Sequence, residues 1–188
     1  TFDQPSRVLS DPLPLQSLSD REYASGLYES LKYGVICDRT LFDSFVKNID
    51  RLRGRDLRNA ETLVARCAKI KADIVSADER EGDLRRILNF GQSLGHALEA
   101  ATGYKHFLHG EAVGWGMVAA GSIGTIAGTT PALVAQKIYA IVAAYGPLPR
   151  VTVSDRKVIS LLKSDKKTVA GLNHFVLLKD IGKPMIAK

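Results

Sequence analysis

The 188-residue chain has few cysteines and no segment of the kind that enters a membrane. Its two cysteines, Cys37 and Cys67, lack metal or redox spacing, so we expect buried free thiols and a reducing compartment. No apolar run is long enough to cross a bilayer, and the first residues do not form a signal peptide. We therefore expect a cytoplasmic protein with no membrane partner.

Basic residues are in modest excess but form no long run. Lys and Arg number 26 against 20 Asp and Glu, which gives a net charge of +6. Such a balance can indicate nucleic acid or an anionic small molecule. Here the positive residues are scattered and are not interleaved with aromatic ones, so nucleic acid is not an expected partner. The length suits one domain with its own core.

The hydrophobic pattern predicts a mainly α, multi-helical domain with a minor β element. A Ser19-x-x-Glu22 capping box opens a first helix that ends or bends near Gly34. Asp38 caps a second helix with Leu41, Phe42, Phe45 and Val46 on its buried side. Later amphipathic or apolar patterns predict helices over 57–77, 112–127, 131–144 and 154–163, and one strand over 174–178.

Polar side chains concentrate in residues 85–111, which contain three of the four histidines. On a helix, some of them would recur every three or four residues and share roughly one face: Asn89, Gln92, Ser93, His96 and Glu99. Surface helices usually carry Lys and Glu there, whereas amide, imidazole and carboxylate groups bind specific partners. Spacing alone supports a solvated face and a binding or catalytic face about equally.

Spacing alone also does not decide whether these residues bind a metal ion or an anion. A catalytic zinc takes three protein ligands and keeps one open position. The candidate donors are His96, His106, His109, Glu29, Glu99 and Glu111, but no spacing among them specifies a metal. Cations and polar groups beside helix ends or on polar helix faces could bind an anion if they converge: Lys32, Lys71, Arg85, Asn89, His96, Lys166 and Lys167.

One apparent nucleotide motif is rejected. Residues 114–119 fit the pattern G-x-G-x-x-A, but no strand precedes them and no acidic ribose partner follows at the right distance. Small residues that allow close helix packing explain this segment better.

Four longer motifs stand out in the sequence: Asn89-Phe90-Gly91-x-x-x-Gly95-His96-Ala97, His109-Gly110-Glu111, Gly26-Leu27-x-Glu29-x-x-Lys32, and Asp165-Lys166-Lys167. Together they resemble the 3-dehydroquinate synthase family and its sugar-phosphate cyclase relatives. The similarity runs in order from Phe2 to about Gly182, so it covers nearly the whole chain.

The resemblance implies a fold, a reaction and partners. Residues 1–188 would form the metal- and substrate-binding helical domain, and the N-terminal NAD-binding domain would be absent from this chain. The family enzyme is a lyase of the shikimate pathway for aromatic amino acids, and works with NAD and zinc or cobalt. It converts 3-deoxy-D-arabino-heptulosonate 7-phosphate, an anionic sugar phosphate, to 3-dehydroquinate with loss of phosphate. We expect a homodimer that is inactive without the N-terminal half.

The resemblance also assigns roles to residues. The metal ligands would be Glu29, His109 and Gln92, where the family has histidine in place of Gln92. An amide oxygen is a poorer zinc ligand than imidazole, so the metal would bind weakly, or His96 or water would fill in. The residues expected in catalysis are Lys32, Lys71, Asp78, Glu81 and His96. Those expected to bind substrate are Arg85, Asn89, His96 and Lys166 or Lys167.

Two alternatives remain open at this point. Another cyclase of the family would act on a sugar phosphate without a carboxylate, and the cationic residues do not separate the two substrates. A helical domain that has lost catalysis is the other alternative. Gln92 favours it, whereas the presence of Glu29, Lys71, Asn89 and His109 argues against it.

Overall fold

The computed structural model describes residues 7–79, 83–164 and 175–187, and the description below concerns these residues. Within them the fold is mainly α with a small two-stranded sheet, as the pattern predicts. In chain order the helices are α1 Asp20–Ile36, α2 Arg39–Lys47, α3 Ile49–Arg53, α4 Leu57–Ala77, α5 Asp83–Arg86, α6 Gln92–Ala101, α7 His109–Ile126, α8 Ala132–Ala144 and α9 Asp155–Ser164. Short 3₁₀ segments cover Leu13–Ser17 and Ile87–Asn89, and the strands are β1 Phe175–Asp180 and β2 Lys183–Ala187.

Helix α1 begins as its sequence predicts but continues further. The Ser19 hydroxyl accepts a hydrogen bond from the Glu22 amide, and the Glu22 carboxylate accepts one from the Ser19 amide. The helix does not end at Gly34, because α1 continues to Ile36. A Cβ atom at Gly34 would lie 2.9 Å from the Phe42 nitrogen. The glycine therefore lets α2 approach α1 closely and does not interrupt the helix.

Helix α2 is capped as predicted, but its buried side is narrower. The Asp38 carboxylate accepts a hydrogen bond from the Leu41 amide at 3.0 Å. Leu41, Phe42 and Phe45 are buried, whereas Val46 is 49% exposed, so its predicted burial is wrong. One step beyond Phe45 turns a side chain by about 100° around the helix axis, which carries Val46 out of the contact with α1.

The central polar stretch is not one continuous helix. Gly91 has a φ of +75°, which only glycine adopts readily, and it separates the 3₁₀ segment at Asn89 from α6. The hypothesis of one shared polar face is therefore wrong in detail. Asn89 precedes the break, and Glu99, at the far end of α6, is buried.

Helix α7 lies at the centre of the fold, and its neighbours approach its backbone closely because glycines occupy several of its inward-facing positions. A Cβ atom at Gly110 would lie 1.9 Å from the Ser25 carbonyl oxygen on α1, so the two helix backbones are in contact there. A Cβ at Gly116 would lie 1.8 Å from the carbonyl oxygen of Gly91. Close packing thus accounts for the glycines of residues 114–119, as the sequence indicated.

The two strands form an antiparallel hairpin that pairs Phe175 with Ala187. Leu177 and Leu178 on β1 are buried in the main core. The sequence pattern predicted β1 from 174, a residue outside the described ranges, and missed β2. A proline in a sequence segment argues against a strand there unless the strand lies at the edge of a sheet. Pro184 is compatible with β2 because both strands of this two-stranded sheet are edge strands.

Both cysteines are half-buried and free, and burial raises the pKa of each thiol to about 11. Among the described helices, none combines the length and the apolar character needed to cross a bilayer.

Candidate active site

Two acidic and two basic side chains from three helices meet where α1, α6 and α7 come together. We call this group the His109 cluster: Glu29, Lys32, Glu99 and His109. His109 is the first residue of α7, so its ring projects from the start of that helix. The Glu29 Oε1 atom lies 3.4 Å from His109 Nε2. The structure therefore brings together two residues that the resemblance assigns to one ion.

The carboxylate of Glu29 is used on one oxygen only. Its Oε2 accepts a hydrogen bond from the ammonium group of Lys32 at 2.9 Å, and Lys32 is only 2% exposed. Its Oε1 is buried and has no hydrogen-bond partner among the described residues, because the approach of His109 lacks hydrogen-bond geometry. A buried carboxylate oxygen without a partner is costly, so this atom is placed to bind a cation.

The second nitrogen of His109 faces another carboxylate. His109 Nδ1 lies 3.3 Å from each oxygen of Glu99, whose side chain is only 12% exposed. The ring of His96 lies against that of His109, with centroids 5.7 Å apart and planes inclined by 25°. One donor atom from each of His96, Glu99 and His109 lies within 4.8 Å of the other two, so these three form a possible metal-binding group.

Glu111, a candidate donor from the sequence, is used to fix the start of α7. It accepts hydrogen bonds from Arg21 at 2.6 and 2.7 Å and from the Leu108 amide at 2.8 Å. The hydrogen bond to Glu111 raises the pKa of Arg21. This ion pair joins the first turn of α1 to the first turn of α7, and thereby helps to place His109 beside Glu29. His106 is also engaged elsewhere, with Nε2 2.9 Å from the Arg150 carbonyl oxygen.

The other residues expected at the site lie at varied positions. Gln92 is the first residue of α6 and is half-buried. Asp78 accepts a hydrogen bond from the Arg85 amide at 2.9 Å, so it holds the chain entering the central stretch. Lys71 is exposed on α4, and no hydrogen bond or ion pair joins it to the His109 cluster in the described part of the chain. Asn89 lies in the 3₁₀ segment before Gly91, and Glu81, Lys166 and Lys167 lie outside the described residues.

The sequence did not identify two side-chain partners at the site: Glu99 as the partner of His109, and Arg21 as the partner of Glu111. Glu99 was a candidate donor, but its place beside Nδ1 of His109 depends on how α6 packs on α7. Arg21 lies in the exposed first turn of α1 and had no signal beyond its charge. Glu111 at the third position of α7 was a usable signal, because an acidic residue there commonly accepts from the start of its own helix.

The family assignment follows from a comparison with known proteins. Residues 26–168 match the family model described as 3-dehydroquinate synthase C-terminal. The chain belongs to the 3-dehydroquinate synthase family.

Members of the 3-dehydroquinate synthase family match all or nearly all of the chain. The 3-dehydroquinate synthase of Koribacter versatilis (strain Ellin345) is 49% identical over 187 residues, and that of Solibacter usitatus (strain Ellin6076) is 44% identical over 183 residues. These alignments cover 100% and 97% of this chain but 51% of each relative. The chain therefore spans about half the length of the curated relatives it matches.

Solved structures of cyclases share the fold of this chain. A 2-epi-5-epi-valiolone synthase from Streptomyces hygroscopicus subsp. jinggangensis 5008, with NAD+ and Zn2+ bound, matches 94% of this chain at a TM-score of 0.83 and 24% identity. A 2-deoxy-scyllo-inosose synthase complexed with carbaglucose-6-phosphate, NAD+ and Co2+ matches 94% at 0.80 and 22%. This chain covers 50% of each of those chains. At these identities the likeness establishes the fold.

Proposed function

We propose that this chain is the metal- and substrate-binding half of a 3-dehydroquinate synthase. The reaction converts 3-deoxy-D-arabino-heptulosonate 7-phosphate to 3-dehydroquinate with loss of phosphate, in the shikimate pathway. The observation that carries the proposal is the meeting of Glu29, Lys32 and His109 in one cluster of a family member. NAD would be bound by a separate N-terminal half, and the whole enzyme would be a cytoplasmic homodimer.

A divalent ion fits between Glu29 and His109. Two atoms held about 2.0 to 2.2 Å from one tetrahedral zinc ion lie about 3.3 to 3.6 Å apart. The Glu29 Oε1 and His109 Nε2 atoms are 3.4 Å apart, and the carboxylate oxygen has no hydrogen-bond partner among the described residues. Gln92 would add a weak amide oxygen. When bound, zinc or cobalt supplies a Lewis acid that polarises a substrate hydroxyl or carbonyl oxygen.

The chain's own cations suit a substrate with a carboxylate and a phosphate. Lys32 is buried and held by Glu29, so its ammonium group is fixed in position for a negatively charged group nearby. Arg85 can bind an anion through two parallel hydrogen bonds, and Asp78 fixes its backbone. Asn89, His96, Lys71 and Lys166 complete the proposed binding set. His96, whose ring lies against that of His109, would hold or move a proton.

A second candidate is another sugar-phosphate cyclase. Two of the solved structures that share this fold are a valiolone synthase and an inosose synthase, so the fold is compatible with this alternative. Sequence favours dehydroquinate synthase, because the identities are 49% and 44% to dehydroquinate synthases against 24% and 22% to those cyclases.

The test joins this chain to an NAD-binding half. Residues 1–188 replace the matching half of the Koribacter relative, and the chimera is assayed with zinc and NAD. We expect phosphate release and 3-dehydroquinate from the heptulosonate phosphate, and none from glucose 6-phosphate, which lacks a carboxylate. The relative itself is the positive control, and the chimera with His109→Ala is the negative control.

The outcomes separate the alternatives. Turnover of glucose 6-phosphate alone would identify another cyclase. A folded chimera that is inactive on both substrates, and active once Gln92→His is introduced, would identify a domain that has lost catalysis through its missing ligand.

A further inference from the structure

We infer that Glu99 is a positioning residue that fixes the protonation of His109 and so directs its Nε2 nitrogen to the metal. The inference rests on the proposed metal site between Glu29 and His109. Glu99 would not touch the metal but would hold His109, in a ligand set where Gln92 replaces a histidine.

The geometry places one carboxylate at each nitrogen of the same ring. Glu99 presents both oxygens to Nδ1 at 3.3 Å, and Glu29 presents Oε1 to Nε2 at 3.4 Å. A neutral imidazole carries one proton, so one nitrogen donates and the other offers a lone pair. The question is therefore which carboxylate accepts the hydrogen bond from the ring N–H.

The state of Glu29 decides in favour of Glu99. A proton on Nε2 would not point at Oε1, because that pair of atoms lacks hydrogen-bond geometry and Oε1 has no hydrogen bond among the described residues. A proton on Nδ1 is in hydrogen-bond geometry with both oxygens of Glu99. Nε2 and Oε1 are then two acceptors 3.4 Å apart, which repel unless a cation lies near both. With the proton on Nδ1, Nε2 of His109 and Oε1 of Glu29 are both available to bind a metal ion.

The packing of α6 on α7 keeps Glu99 in position. A Cβ atom at Gly95 would lie 3.2 Å from the Ala112 carbonyl carbon, so α6 lies unusually close to the α7 backbone at that point. One turn further along α6, this close approach brings the Glu99 carboxylate against the first residue of α7. Because its side chain is only 12% exposed, Glu99 has little freedom to turn away from His109.

The chemistry explains how this chain can keep an ion despite Gln92. A histidine that donates its second nitrogen to a carboxylate is held in one orientation and becomes a more basic ligand. Removing such an outer partner typically weakens metal binding by about 10- to 100-fold. In this chain Glu99 would strengthen the one imidazole that the proposed ligand set retains.

The first measurement needs no metal. Long-range ¹H–¹⁵N spectra of the metal-free chain, above the titration range of imidazole, report which nitrogen of His109 is protonated. We expect the proton on Nδ1 in the native chain and a mixture of the two forms in Glu99→Ala. A native His109 protonated on Nε2, or a Glu99→Ala spectrum identical to the native one, would overturn the inference.

The second measurement is binding of Co2+, followed by its visible absorption. We expect Glu99→Gln to lower affinity by about 10- to 100-fold while the band positions of the saturated complex stay the same, because the ligands are unchanged. Asp43→Asn, which removes an exposed carboxylate on α2, should leave affinity unchanged.

Two results would overturn the inference. One is unchanged affinity in Glu99→Gln. The other is a changed cobalt spectrum in Glu99→Gln with a native spectrum in Glu29→Gln, which would make Glu99 a ligand in the group it forms with His96 and His109. If the native chain binds no metal at all, the proposed function fails, and the protonation of His109 still tests Glu99 separately.

Discussion

The carbonyl oxygen of Gly91 occupies the space that a side chain at Gly116 would need, with 1.8 Å between that oxygen and an added Cβ. The contact fixes the turn before α6 against the middle of α7. The site therefore depends on it, because α6 carries Glu99 and α7 begins with His109.

Gly116→Ala should therefore destabilise the chain. We expect a loss of about 1–3 kcal/mol or more in the free energy of unfolding, measured by urea denaturation, because backbone atoms would have to move apart. Gly26→Ala is the matched control, since Gly26 is exposed within α1 and nothing lies within 4 Å of an added Cβ. It should stabilise by about 0.5–1 kcal/mol through helix propensity. Equal effects of the two substitutions would contradict the packing described.

Replacing Gln92 by histidine should restore a strong third ligand. We expect Gln92→His to raise zinc affinity by more than about tenfold, because imidazole is a better zinc ligand than an amide oxygen. Isothermal titration measures the affinity. Ser93→His places the same side chain one residue along α6 and should give no such gain. An unchanged affinity for Gln92→His would mean that position 92 does not face the ion.

The cap of α2 should make stability depend on pH. Burial alone would raise the pKa of Asp38, but hydrogen bonds from Thr40, the Leu41 amide and Arg66 together lower it. A carboxyl whose pKa is lower in the folded state stabilises the fold above its unfolded pKa of about 3.9, and that stabilisation disappears as pH falls through the folded value.

Asp38→Ala tests this dependence. At pH 7 it should destabilise by about 0.5–2 kcal/mol, the usual effect of losing such a cap. The difference between the urea midpoints of the two proteins should narrow as pH falls below about 4. A difference that stays constant down to pH 3 would show that the ionised carboxylate is not the stabilising form.

The thiols should be unreactive while the chain is folded. Burial raises the pKa of both Cys37 and Cys67 to about 11, so near pH 8 little thiolate is present to attack a disulfide reagent. We expect slow reaction with Ellman's reagent in buffer and fast reaction of both thiols in urea. Single substitutions to serine assign the two rates, and rapid labelling of either cysteine in the native chain would contradict the burial described.

Local signals in the sequence predicted the helices better than the site. The caps at Ser19 and Asp38 and the extent of α4 follow from short-range rules, and the structure confirms them. Gly91 appears in the sequence only as part of a motif, and neither its left-handed φ nor its contact with α7 has a short-range signature. Gly34 was misread as a helix end for the same reason.

At the site, family motifs indicated which residues to examine, and packing determined their partners. Glu29 and His109 lie on different helices, and periodicity within one helix cannot bring them together. The sequence placed Glu99 on a polar face that could have been solvated or a binding face, and α6 turns this residue inward against His109. The roles of Glu29, His109 and Gln92 as metal ligands stay predictions, which metal-binding measurements test.

The most direct test of a shared ion is a double-mutant cycle on Glu29 and His109, with Co2+ affinity measured for the native chain, Glu29→Gln, His109→Ala and the double variant. If both side chains bind one ion, each single change should weaken binding by more than about tenfold, and the double variant should be little weaker than the worse single one. Co2+ binding at native affinity in either single variant, or in the double variant, would contradict a common ion between them.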